Sequence, residues 1–198
     1  MNGDGSENQD ANIIRDIQNG DRVLFANIFH THYSGLCAFV LRYTGSFEVS
    51  EDIIQDIFLS IWQNRKTWSP ATGLKPYLYK AARNSALDYH RHNKVKRKWE
   101  TESRYLELSH VESPEDNLKD REANKEIASA IEEAIDRLPE SRKIIFLLSR
   151  EDGLTYKEIA EVLNVSVKTV ETQMGRSIKT LRQYLVEYLP FFLLLFQF

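Results

Sequence analysis

Apolar residues recur every three or four positions along most of this chain, and that spacing restricts the fold more than any other feature. Strand-like alternation is weak, and helix breakers are scarce, with Gly 8 and Pro 5 in 198 residues. The predicted class is all-α: two small helical domains joined by a charged linker. A short helix is expected over about 11–19, stopped by Gly20. A longer one runs from Val23 to Tyr43 and ends at Gly45. Ser50 is the expected N-cap of a third helix, with Glu51 and Asp52 in its first turn, where the macrodipole favours acids. The segment 65–73, RKTWSPATG, is predicted as a loop. Pro76 lies near the start of the next helix, where its missing N–H costs little.

The composition changes after that helix. Lys94, Lys96, Arg97 and Lys98 form a basic cluster, and residues 100–126 carry nine acids against four bases. Ser113-Pro114-Glu115-Asp116 is read as opening a further helix. The expected organisation is a disordered leader over 1–10, a first helical domain over 11–94, a charged linker over 95–128, a second helical domain over 129–188 and an apolar tail over 189–198. The leader MNGDGSENQD has neither the basic nor the apolar segment of a signal peptide. The tail, PFFLLLFQF, is under half the length that spans a bilayer. It is expected to dock on the second domain or on a partner, with no stable membrane insertion. Net charge is −3, so the molecule is not a polycation that coats DNA indiscriminately, and the single cysteine, Cys37, excludes a disulfide scaffold.

The second domain carries the strongest local signal. Thr155-Tyr156-Lys157-Glu158 fits a capping box opening a short helix. Asn164 tolerates the left-handed backbone that a tight turn needs, and Ser166 caps the helix that follows. This is a helix-turn-helix, with Ala160 small where its helices cross. At 100° per residue, Val167, Val170, Met174, Ile178, Leu181 and Leu185 share one sector. Lys168, Thr169, Thr172, Gln173, Arg176, Lys179 and Thr180 share the opposite one, and Glu171 flanks them. Donors, acceptors and positive charge on one helical face suit a major-groove reader.

The first domain differs. In SEDIIQDIFLSIWQNR, an apolar stripe of Ile54, Ile57, Phe58, Ile61 and Trp62 runs beside a polar cluster of Asp52, Gln55 and Asp56. Periodicity leaves two readings of that cluster open: a solvated face, or a dock for a basic partner helix. In the next helix Leu78, Ala81, Ala82, Ser85 and Tyr89 lie on one side. Tyr79, Lys80, Arg83, Asn84, Leu87, His90, Arg91 and Lys94 lie on the other, with Trp68 and Tyr77 nearby in sequence. Cations interleaved with aromatics suit melted DNA, the cations holding phosphates and the rings stacking with bases. A core placement of Tyr77 and Tyr79 is the plainer alternative.

Three stretches together resemble a family. DIIQDIFLSIW resembles the polymerase-binding helix of sigma region 2, and PYLYKAARNSALDYHR the adjoining minus-ten helix. LPESRKIIFLLSREDGLTYKEIAEVLNVSVKTVETQMGRSIKTLR is similar to sigma region 4. They occur in that family's order, and a short chain of this kind resembles its extracytoplasmic-function group. The resemblance implies a region 2 helical bundle and a region 4 helix-turn-helix in a cytoplasmic bacterial protein. It also implies core RNA polymerase, promoter DNA (duplex and melted non-template strand) and an anti-sigma factor as partners. The implied polymerase contacts are Asp52, Gln55, Asp56, Leu59 and Trp62. The implied minus-ten contacts are Trp68, Leu74, Lys75, Tyr77, Tyr79, Lys80, Arg83, Asn84 and Arg91, with the loop from Trp68 to Leu74 pocketing a flipped base. The implied minus-thirty-five contacts are Thr155, Ser166, Lys168, Thr169, Glu171, Thr172, Gln173, Arg176 and Lys179.

Two other function classes are weaker fits. A plain duplex-binding regulator has no use for the polar-striped helix followed by a basic, aromatic one. An enzyme would need a site. The pairs His30/His32 and His90/His92 are two residues apart, a spacing that does not share a helix face, and no acidic or cysteine set completes them. No metal, cofactor or catalytic activity is expected.

Overall fold

The computed structural model describes residues 4–96 and 120–185, with side chains over 9–92 and 128–185. Every regular element among them is an α-helix. The first of two compact units holds α1 (Asp4–Gln18), α2 (Arg22–Thr44), α3 (Phe47–Gln63) and α4 (Leu74–Lys96). The second holds α5 (Asp120–Asp136), α6 (Glu140–Arg150), the first turn of α7 (Tyr156–Leu163) and α8 (Val167–Tyr184).

The first unit is organised on α2. Asp21 caps it by accepting from the Leu24 amide at 2.9 Å. Gly45 stops it in the left-handed region at φ 66°, its N–H donating to the Leu41 carbonyl at 2.8 Å. In between, α2 is long and apolar enough to cross a membrane by length and composition alone. Part of its apolar surface is buried within the unit, where α2 packs on both α3 and α4. Leu36, Phe39 and Val40 are fully buried together with Ile54 of α3 and Leu78 of α4. Phe39 meets the Tyr79 ring edge-on at 5.2 Å, and Phe29 meets Phe58 at 5.0 Å. Cys37 lies in the same core, and burial pushes its thiol pKa up. The Tyr33 hydroxyl donates to Glu51 Oε1 at 2.7 Å, tying α2 to α3. That bond, with burial adding to it, raises the phenol to about 12.

Several boundaries differ from expectation. Residues 4–10, expected as disordered leader, are helical in α1, which Ile17 anchors in the core and Asp10 ties to α4. The N-cap of α3 is Ser46, not Ser50. Ser46 accepts from the Val49 amide at 3.4 Å, while Ser50 is buried one turn on and donates back to the Ser46 carbonyl at 2.7 Å. α4 continues to Lys96, and α5 starts at Asp120, inside the stretch expected as linker. The helix start expected at Ser113 and the tail over 189–198 lie outside the described residues.

In the second unit α8 packs on α5 and α6. Val170, Met174, Ser177, Leu181 and Leu185 are buried along it. Val167, expected with that apolar set, is instead 40% exposed, because it begins the helix ahead of the first packed turn. Ser177 takes an inward position and satisfies its hydroxyl on the Gln173 carbonyl at 2.9 Å.

Because Phe39 touches both α4 and its own helix, Phe39→Ala is expected to destabilise the first unit by about 3–5 kcal/mol. Urea unfolding of the full chain, followed by tyrosine and tryptophan fluorescence, measures this. A loss below about 1 kcal/mol would show that α2 is not the organising core helix.

Candidate nucleic-acid interface

The second unit presents a helix whose start is fixed by local chemistry. Glu158 Oε2 accepts from the Thr155 amide at 2.7 Å and from its hydroxyl at 2.6 Å, while the Glu158 amide donates to Thr155 Oγ1 at 3.3 Å. This is the reciprocal capping box, and it opens α7. Asn164 then adopts φ 53°, the turn's one left-handed non-glycine residue. Ser166 Oγ accepts from the Thr169 amide at 3.0 Å and lies 2.8 Å from the Thr169 hydroxyl. Thr155, Ser166 and Thr169 therefore have their hydroxyls engaged in caps.

The rest of the exposed face of α8 is open to a ligand. Lys168 is exposed, with its ammonium 3.2 Å from Glu171 Oε2, so Glu171 is engaged by a neighbour on the same helix. Thr172 is exposed and donates its hydroxyl to the Lys168 carbonyl at 2.8 Å. Arg176 and Lys179 are exposed, and neither is ion-paired among the described residues. Gln173 is half-buried between that row and the packed face.

In the first unit a recess of about 360 Å³ lies between the 65–73 loop and α4. Ser69, Pro70 and Thr72 form its loop side, and Tyr77, Lys80 and Asn84 its helix side. Lys80 and Asn84 are exposed, and Lys75, Tyr77 and Arg83 are half-buried. Arg91 is exposed and bonded to Asp88 at 3.0 Å. Three residues expected to touch DNA are core instead. Tyr79 is 2% exposed against Phe39. Trp68, at 7%, meets the Tyr77 ring at 5.5 Å. Leu74, at 5%, begins α4. None of these three presents a free face for base stacking. Loop residues Ser69, Pro70 and Thr72, which residue chemistry gave no reason to single out, stand at the recess in their place.

A second surface lies on α2 and α3. Asp52, Gln55 and Asp56 are exposed, Leu59 is 53% exposed and Trp62 is half-buried. Beside them runs an apolar groove of about 520 Å³ that includes Phe25, Phe29, Phe58, Leu59 and Trp62. Phe25 meets Trp62 at 5.0 Å with the rings tilted by 40°, and the Arg65 guanidinium lies over the Trp62 ring, 4.6 Å from its centroid. The α2 wall of this groove was not foreseen, although the four-residue spacing of Phe25 and Phe29 carries it. His30 is exposed and His32 half-buried, its pKa lowered by burial and then by Lys75, so the pair does not share an environment. No group of three or more His, Cys, Asp or Glu side chains that could hold a metal converges among the described residues.

The chain matches the family model for Sigma-70 region 2 over residues 28–95 and that for Sigma-70, region 4 over residues 128–181. It is 28% identical over 166 residues to the ferric citrate uptake sigma factor FecI of Escherichia coli, covering 83% of this chain and 92% of that one. It is 26% identical over 176 residues to the ECF RNA polymerase sigma factor SigW of Bacillus subtilis, covering 87% and 94%. Among solved structures it is similar to the sigma factor RpoE in complex with the anti-sigma factor NepR from Bartonella quintana. There the TM-score is 0.61 at 16% identity, covering 81% of this chain and 96% of that one. CnrH in complex with the cytosolic domain of CnrY gives a TM-score of 0.55 at 19% identity, covering 90% and 97%.

The backbone at Asn164 generates a test of the turn before α8. Asn164→Ala is expected to lower stability by about 1 kcal/mol, whereas Asn164→Gly leaves it nearly unchanged. Thermal unfolding of the two variants reads this, and equal effects would mean the left-handed turn is not what fixes the start of α8.

Proposed function

The chain belongs to the extracytoplasmic-function family of RNA polymerase sigma factors, and from that premise we propose which of its surfaces carry out each part of the work. The observation that carries the proposal is α8: a capped helix with Lys168, Thr172, Arg176 and Lys179 outward and Val170, Met174 and Leu181 packed beneath. Such a helix can enter the major groove of the minus-thirty-five element, its cations and the Thr172 hydroxyl reading base edges and phosphates. Thr155, Ser166 and Thr169 act through the backbone they cap. Their amides and hydroxyls fix the helix ends that approach phosphate.

The recess between the 65–73 loop and α4 is the proposed receptor for an unpaired non-template base. Its helix side offers the Tyr77 ring, the Asn84 amide and the Lys80 cation, the groups that cage and hydrogen-bond an extruded base. Arg83, Lys75 and Arg91 lie on the same helix and can hold the strand's phosphates. The acidic and apolar strip of Asp52, Gln55, Asp56, Leu59 and Trp62 is the proposed contact with core polymerase. The exposed leucine supplies desolvated area, and the acids select a basic partner.

Mechanistically this is differential binding. One module holds duplex DNA, and the other binds the separated strand better than the paired one, so the closed-to-open equilibrium shifts while polymerase supplies catalysis. The chain itself performs no bond-making step in this scheme, needs no metal or cofactor, and acts in the cytoplasm where polymerase and DNA are. An anti-sigma factor is the expected inhibitor; the similar solved sigma factor RpoE is in complex with one, NepR.

The experiment is direct. Added to core polymerase, the full chain is expected to start transcription from a defined subset of genomic promoters. No association with core at low salt would overturn the proposal. Arg176→Ala should weaken promoter binding by about 1–3 kcal/mol while leaving affinity for core unchanged. Asp52→Ala with Asp56→Ala should do the reverse, and equal losses in both assays for either variant would point to misfolding of that variant.

A further inference from the structure

The segment between α3 and α4 is tied at both ends to α1, a helix that precedes the region 2 match beginning at residue 28. Gln18 Nε2 donates to the Trp68 carbonyl at 2.8 Å, across 50 positions of sequence. The Asp10 carboxylate accepts from the Leu74 amide at 3.0 Å, across 64 positions. Leu74 is the first residue of α4, so Asp10 supplies the N-cap that the loop's own residue, Gly73, cannot. Gly73 sits at φ +81°, and a Cβ there would come within 2.6 Å of Asp10 Oδ2, so glycine is what lets the carboxylate approach.

Asp10 and Gln18 are eight residues apart, about 12 Å of rigid helix. Ile17, fully buried beside Gln18, fixes that helix in the core. The chain between the two ties, Ser69 to Gly73, is the loop side of the recess. With its ends held at a set separation, its few residues have little freedom, and Ser69, Pro70 and Thr72 stay facing Tyr77, Lys80 and Asn84.

We propose that α1 is a buckle for the base-receiving loop, with Asp10 and Gln18 as positioning residues that set the width of the recess and so its discrimination among unpaired bases. This rests on the assignment of that recess to a melted base.

The test uses full-length protein bound to core polymerase and a pool of single-stranded DNA randomised over about six consecutive positions, sequenced after capture. Asp10→Ala is expected to weaken capture roughly three- to tenfold, as loss of one cap does, and to flatten the base preference of the captured pool. Gln18→Glu keeps the side chain's shape but removes the donor, and should behave the same way. Asp10→Asn keeps a carbonyl acceptor for the Leu74 amide and should stay close to wild type. Affinity for core polymerase should be unchanged in all three. Leu148→Ala, which opens a void in the core of the second unit, should lower the melting temperature without altering base preference. The buckle is overturned if Asp10→Ala and Gln18→Glu keep the wild-type preference, or if Leu148→Ala flattens it equally. If wild-type holoenzyme captures no sequence from the pool, the assignment of the recess itself falls, and the buckle with it.

Discussion

Burying Leu36, Phe39 and Val40 of α2 against Ile54 and Leu78 sets the position of everything the first unit can offer a ligand. A close-packed core has few alternative arrangements, because moving one large side chain opens a void or forces a clash. With α2 held, α3 can turn only one way about its long axis, and Asp52, Gln55 and Asp56 fall outward. α4 is constrained likewise by Tyr79, whose ring is trapped against Phe39, and that leaves Lys80 and Asn84 at the surface. The polar surfaces are thus consequences of where the apolar ones had to go.

The second unit solves its positioning problem by a different means. α7 is short and joined to α8 by a tight turn, so the chemistry at the helix ends determines where α8 starts. The Thr155–Glu158 box, the left-handed Asn164 and the Ser166 cap each satisfy backbone groups that would otherwise compete for water or distort the turn. Each acts within three or four residues. The outward row on α8 can therefore vary without cost to the turn that aims it, since Lys168, Arg176 and Lys179 make none of the bonds that hold it.

That contrast explains what the sequence discloses. The capping box, the left-handed asparagine and the start of α8 are legible because donor and acceptor lie a few positions apart. The all-helical class and the packed face of α8 follow from periodicity, apart from its first residue, Val167. Ser50 misled because it too precedes acids, but the glycine at 45 and the serine at 46 start the helix a turn earlier. Trp68, Leu74 and Tyr79 looked available because an aromatic or apolar residue beside cations carries no mark of what lies opposite it. Phe39, forty positions from Tyr79, decides that. The ties from Asp10 to Leu74 and from Gln18 to Trp68 span 64 and 50 positions, and no local pattern encodes them.

The sole cysteine has its own bearing on how such a factor can be governed. Cys37 is sealed in the core of the first unit, and burial disfavours the thiolate, the form that oxidants and disulfides attack. In the folded state this thiol is accordingly shielded from direct oxidation and from disulfide exchange. Either reaction at Cys37 requires the first unit to open first, so its chemistry reports on unfolding of that core.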